Sequence, residues 1–96
     1  MEQIERIERM EAHFDIAKDA VARLIEALER YEEAKPDIVA LEDYYDNGTW
    51  RKDFEADEAG LLPRDMKRGV LSEDGVWNLL TDNNDLRKRL RRAAKA

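Results

Sequence analysis

Apolar residues return every seven positions along the N-terminal part of this chain. Ile7, Phe14, Val21 and Leu28 form one row, and Met10, Ala17, Leu24 and Tyr31 form a second. Two such rows make the a/d stripe of an amphipathic helix, whereas the period of a strand would scatter them over both faces. The pattern predicts a helix from about Gln3 to Glu33, roughly 45 Å long at 1.5 Å per residue. Its apolar face is wide. His13, Ile16, Ala20 and Ala27 extend it on one flank, and Ile4 and Ile25 widen it on the other. A face of that width suits a helix with neighbours on two sides.

Composition agrees with long helices. Charged residues reach 42%, with only four glycines and two prolines to interrupt the chain. At 96 residues the expectation is a single helical domain, 1–96. Hydrophobic residues make up 43%, but twelve are alanines, so large core side chains are scarce. A core that small gains stability by self-association.

The absence of cysteine excludes disulfides and thiolate metal sites. The N-terminus, Met1-Glu2-Gln3-Ile4-Glu5-Arg6, is acidic and periodic, unlike a signal peptide. The longest apolar run, Ile38-Val39-Ala40-Leu41, is far too short to span a bilayer. A cytoplasmic location and no membrane partner are expected. The net charge of −6 is unevenly spread: Arg87 to Ala96 carries +6, and the residues before it carry −12. An acidic body repels a nucleic-acid backbone, while a basic helix end could touch one. Complementation of the helix dipole is the preferred reading of that basic end.

Further along, Lys35-Pro36-Asp37 is expected to break the first helix and start a second, because proline disfavours helical geometry in the residue before it. Ile38, Leu41 and Tyr45 give this second helix its apolar face, and Asn47-Gly48 should end it near Asp46. Thr49 is the expected cap of a short helix from Trp50 to Ala59, closed by Gly60. One helical turn is expected from Pro63 to Lys67. Ser72 is the expected N-cap of the last helix, with Glu73 and Asp74 in its first turn. Val76, Leu79, Leu80, Leu86 and Leu90 form its stripe, interrupted by Asn83.

With Leu41-Glu42-Asp43-Tyr44-Tyr45, Trp50, Asp53, Asp57-Glu58 and Leu62-Pro63 in place, the chain resembles a known family. The likeness sharpens at Lys67-Arg68-Gly69-Val70-Leu71-Ser72-Glu73-Asp74-Gly75-Val76 and Leu79-Leu80. It resembles the small bacterial proteins of domain-of-unknown-function family four-two-nine-eight, over nearly the whole chain and most strongly from Leu41 to Leu80. Position 77 is Trp where the family pattern has Tyr, which keeps the aromatic and loses a hydroxyl. The resemblance implies a compact all-helical bacterial protein, and no assigned activity, cofactor or catalytic residue.

Carboxylates are dense from Asp37 to Glu58, and Asp53 and Asp57 share a helix face at i and i+4. Such a pair could ligate a hard cation. No EF-hand loop or Glu-x-x-His spacing is present, however, and pairing of Asp53 or Asp57 with Arg64 or Arg68 is the stronger reading. The Arg68-to-Gly75 segment could hold an anion at the start of the last helix, but Glu73 and Asp74 would repel it. Tyr44, Tyr45, Trp50, Phe54 and Trp77 are expected to seal a small core, with one of the adjacent tyrosines reaching the surface. Asn83 is either a buried residue fixing register or a half-exposed rim residue.

The expected fold is therefore all-α, a helical bundle of two long helices packed antiparallel with shorter helices between them. The expected function is a non-enzymatic protein–protein interaction module, self-associating as a homodimer, with no cofactor, metal or catalytic residue. The candidate interaction residues are Tyr44, Tyr45, Trp50, Asp53, Asp57, Arg68, Ser72, Glu73 and Asp74. Two alternatives stand beside it. One is a small-ligand or divalent-cation site around Asp53, Asp57, Arg68 and Ser72. The other is nucleic-acid contact, or an acidic decoy of nucleic acid, with contact made through the basic C-terminal helix end.

Overall fold

The computed structural model describes residues 1–95, and among these all regular structure is helical. The elements are α1 (Glu2–Asp46), α2 (Thr49–Glu58), a 3-10 turn (Gly69–Leu71) and α3 (Gly75–Ala94). No described helix is long and apolar enough to cross a membrane. The chain divides between Lys35 and Pro36 into two units, and α1 contributes to both.

The first unit is the heptad-patterned part of α1. Its apolar rows are open to solvent: Ile7 is 51% exposed, Phe14 58%, Val21 58% and Leu24 59%. Ion pairs one turn apart decorate its polar side, Arg23 with Asp19 at 2.9 Å and Arg30 with Glu26 at 2.7 Å. Exposed pairs of this kind add little beyond helix propensity.

The expected break at Lys35-Pro36 does not occur, because α1 continues through Pro36 to Asp46. Proline removes one N–H, which leaves the Glu32 carbonyl without its intrahelical donor. Glu32 and Pro36 are both exposed, so water can meet that carbonyl. Helix-favouring residues, Glu33, Ala34 and Lys35 before it and Ala40, Leu41 and Glu42 further on, then carry the helix across the defect.

The second unit holds the core. Trp50, Leu71 and Val76 are buried, with Tyr44, Tyr45, Phe54, Leu62 and Leu80 packed around them. Gly48, at φ 87°, makes the turn out of α1 that the Asn47-Gly48 pair foretells. Thr49 is not the cap expected of it. It is the first helical residue, Gly48 holds the N-cap position, and the Asn47 side-chain oxygen accepts from the Thr49 N–H at 2.9 Å. Asparagine performs this local bond readily, which frees threonine to enter the helix. Gly60, at φ 74°, closes α2: its N–H donates to the Asp57 carbonyl and that of Leu61 to the Ala56 carbonyl, both at 3.0 Å. This is a Schellman closure, which satisfies carbonyls the helix end would leave open.

The segment from Pro63 to Lys67 makes a single hydrogen-bonded turn, Met66 N–H to the Pro63 carbonyl at 3.4 Å, in place of the expected helical turn. Ser72 also differs from expectation. Its hydroxyl donates to the Gly69 carbonyl at 2.9 Å, which closes the 3-10 turn instead of capping α3. Asp74 occupies the N-cap position of α3 with no side-chain cap bond, and Glu73 precedes it, so neither acid lies in the first helical turn. Gly75 begins the helix because a Cβ there would collide with the Ser72 hydroxyl and stand 3.2 Å from the Gly69 carbonyl. Asn83 is the buried residue of its two readings, 7% exposed. Trp77 is not part of the core: it is 53% exposed, as are Leu79 at 46% and Leu86 at 40%.

Candidate functional site

α2, the connection after it and the start of α3 bring most of the candidate residues together. Trp50 is at the centre. Its ring lies 5.0 Å from Tyr45 at a tilt of 45° and is stacked 5.0 Å from Phe54 at 18°. Four-residue spacing places Trp50 and Phe54 on one face of α2, so their stacking follows from helix geometry. The indole N–H donates to the Val70 carbonyl at 2.6 Å, which joins α2 to the 3-10 turn.

Two carboxylates of α2 have separate partners. Asp53 accepts from the Tyr44 hydroxyl at 2.6 Å. Burial, then the hydrogen bond to Asp53 and its negative charge, push the Tyr44 phenol up to about 12. Asp57 pairs with Arg68 at 2.6 Å, its side chain 17% exposed against 38% for Arg68. Arg68 also donates to the Pro63 carbonyl and, at 3.4 Å, to that of Met66. The guanidinium thus ties the connection back onto α2 at several points, as its planar fork of donors permits. Of the two carboxylates expected to meet Arg68, the structure brings Asp57.

These engagements bear on the chemistry the site can perform. Asp53 and Asp57 each face a proton donor of their own. Among the described residues no three of Asp, Glu and His gather where they could hold a metal ion. No buried side-chain nitrogen or oxygen among the described residues lacks a hydrogen bond. Trp50, at 7% exposure, offers little surface, and Tyr44 and Tyr45 are both half-buried where one was expected to reach outward.

The open part of the site lies beside this core. A cleft of about 460 Å³ is lined by Tyr45, Phe54, Arg51, Glu73, Asp74 and Trp77. A second, of about 260 Å³, lies between the end of α1 and α3, with Tyr45, Asp46, Trp77 and Leu80 among its walls. Trp77, half-exposed and shared by both clefts, belongs with Glu73 and Asp74 as surface. The Tyr44–Asp53 bond and Leu71 as a core residue were missed by sequence reasoning. Asn47-Gly48 between two short apolar faces was the available signal for the first, since it folds residues on either side toward each other.

The model of the family described as Domain of unknown function (DUF4298) matches residues 7–93, and the chain belongs to that family. No curated protein and no solved structure matches the chain.

Proposed function

We propose that this family member is a non-enzymatic interaction module of the bacterial cytoplasm, one that associates with itself and presents an acidic, aromatic surface to a protein partner. The observation that carries this reading is the open apolar stripe of the first unit, from Ile4 at 53% exposure to Leu28 at 41%. A contiguous stripe of large apolar side chains is costly to leave in water and marks an association surface. Glu73, Asp74 and Trp77 beside the aromatic cleft are the partner-facing group, an exposed aromatic rimmed by charge.

The same reading sets α1 and α3 as the two long helices of an antiparallel bundle, with α2 and the 3-10 turn between them. The shallow cleft that Tyr45 and Asp46 share with Trp77 and Leu80 supports side-by-side packing of the end of α1 with α3. Sedimentation equilibrium at micromolar concentration tests the self-association. A dimer is expected, reduced to monomer by Leu24→Glu, and a wild-type monomer of 11.3 kDa would overturn the reading.

A further inference from the structure

We infer that the self-association proposed above, on which this inference rests, is an antiparallel pairing of two α1 helices in one register. In that register Glu11 faces the partner's Lys18, and Phe14 faces the partner's Ala17. Size and charge select it independently.

Size acts in the seam. Phe14 is the largest side chain of the a row, Ala17 is the smallest of the d row, and the two are neighbours. In a parallel pair each a residue meets its own copy, so Phe14 would meet the partner's Phe14 and Ala17 the partner's Ala17. One layer would be overfilled and the next left with a void, and both defects destabilise. In an antiparallel pair a residues meet d residues, so large can face small. The register that sets Phe14 against the partner's Ala17 also sets Ile7 against the partner's Leu24 and Met10 against the partner's Val21. Every layer from Ile7 to Leu24 is then apolar, and the central one is matched in volume.

Charge acts on the flank. The row beside the seam reads Ile4, Glu11, Lys18, Ile25. Antiparallel pairing brings this row against itself. The register chosen by size places Glu11 near the partner's Lys18 and Ile4 near the partner's Ile25, so opposite charges meet and the two isoleucines cover one another. Ile4 and Ile25 are both 53% exposed in the single chain, off the main seam, and gain a partner only this way. A shift of one heptad in one direction sets Lys18 against the partner's Lys18. A shift in the other sets Glu11 against the partner's Glu11. Both neighbouring registers are therefore penalised by like charge, which is how flanking positions specify pairing in coiled coils. Lys18 already lies along this edge, its ammonium 5.7 Å from the Phe14 ring centre.

The full chain contains no cysteine, so single cysteines can carry spin labels without background. Glu5→Cys, Ala12→Cys, Asp19→Cys and Glu26→Cys lie at equivalent heptad positions on the side away from the seam. At 1.5 Å per residue the two labels in a dimer should be offset along the axis by about 10 Å for both Ala12 and Asp19, and by about 32 Å for both Glu5 and Glu26. Pulsed dipolar spectroscopy reads this symmetric pattern. One distance common to all four sites would overturn the antiparallel pairing and leave self-association standing, whereas a monomer in the centrifuge would overturn both. Charge provides the second test. Lys18→Glu should weaken dimerisation about tenfold, since two ion pairs become two repulsions. Adding Glu11→Lys to the same chain should restore it. Weakening without restoration would overturn the register.

Discussion

The Trp50 indole N–H donates to the carbonyl of Val70, 20 residues further along the chain, at 2.6 Å. This bond joins the first turn of α2 to the 3-10 turn, in a chain where few side chains are buried at all. Trp50→Phe keeps an aromatic for the Phe54 stack and removes the donor, leaving the Val70 carbonyl without it. The expected loss is about 1–3 kcal/mol in urea melts. A loss no larger than a few tenths would show that the bond contributes nothing to stability.

Arg68 with Asp57 is the second long-range tie. The carboxylate is well covered and the guanidinium less so, which places the pair between the exposed and the buried regimes. Arg68→Ala should cost about 2 kcal/mol, above an exposed pair and below a fully buried one. Arg68→Lys should recover only part of this, because an ammonium cannot reproduce the fork that reaches Asp57 and the Pro63 carbonyl together. Complete recovery by lysine would reduce the role to charge alone.

Tyr44 gives a pH signature. Its phenol is pushed from 10.0 up to about 12 in the folded chain, so folding favours the protonated form. The corresponding stability is fully present below pH 10 and is lost as pH rises through about 12. Near-ultraviolet absorbance titration of the three tyrosines should show one ionising late, and Tyr44→Phe should remove that step. Ordinary titration of all three would contradict the Asp53 bond.

Pro36 lies inside α1 at an exposed position. Pro36→Ala restores the missing N–H and should stabilise the chain, by at most about 3 kcal/mol. Thermal melts followed by circular dichroism measure it. A destabilisation would mean that the proline geometry is needed where it stands.

Divalent cations and nucleic acid provide the contrast with an interaction module. Calorimetry should find no saturable Mg²⁺, Ca²⁺ or Zn²⁺ binding tighter than about millimolar, since Asp53 and Asp57 each face a donor of their own. Gel-shift assays should find no DNA or RNA complex near physiological salt, because the −12 body opposes the basic end of α3. A tight, stoichiometric cation lost in Asp53→Asn would favour the cation site. A salt-resistant shift lost on truncation after Leu86 would favour nucleic acid.

The sequence by itself determined the all-helical class, the heptad rows of α1, and the glycine turns at Gly48 and Gly60. These are local matters: side chains three, four and seven residues apart are neighbours on any helix, and a left-handed backbone selects glycine wherever it occurs. Only the tertiary structure decided that α1 runs through Pro36, that Ser72 closes a 3-10 turn, and that Tyr44 takes Asp53 while Arg68 takes Asp57. It also decided that Trp50 is buried and Trp77 open. The side-chain pairings depend on how separate segments meet, and the passage through Pro36 and the contrast of the two tryptophans on whether water reaches a given carbonyl or ring. Propensity and periodicity carry no information about either.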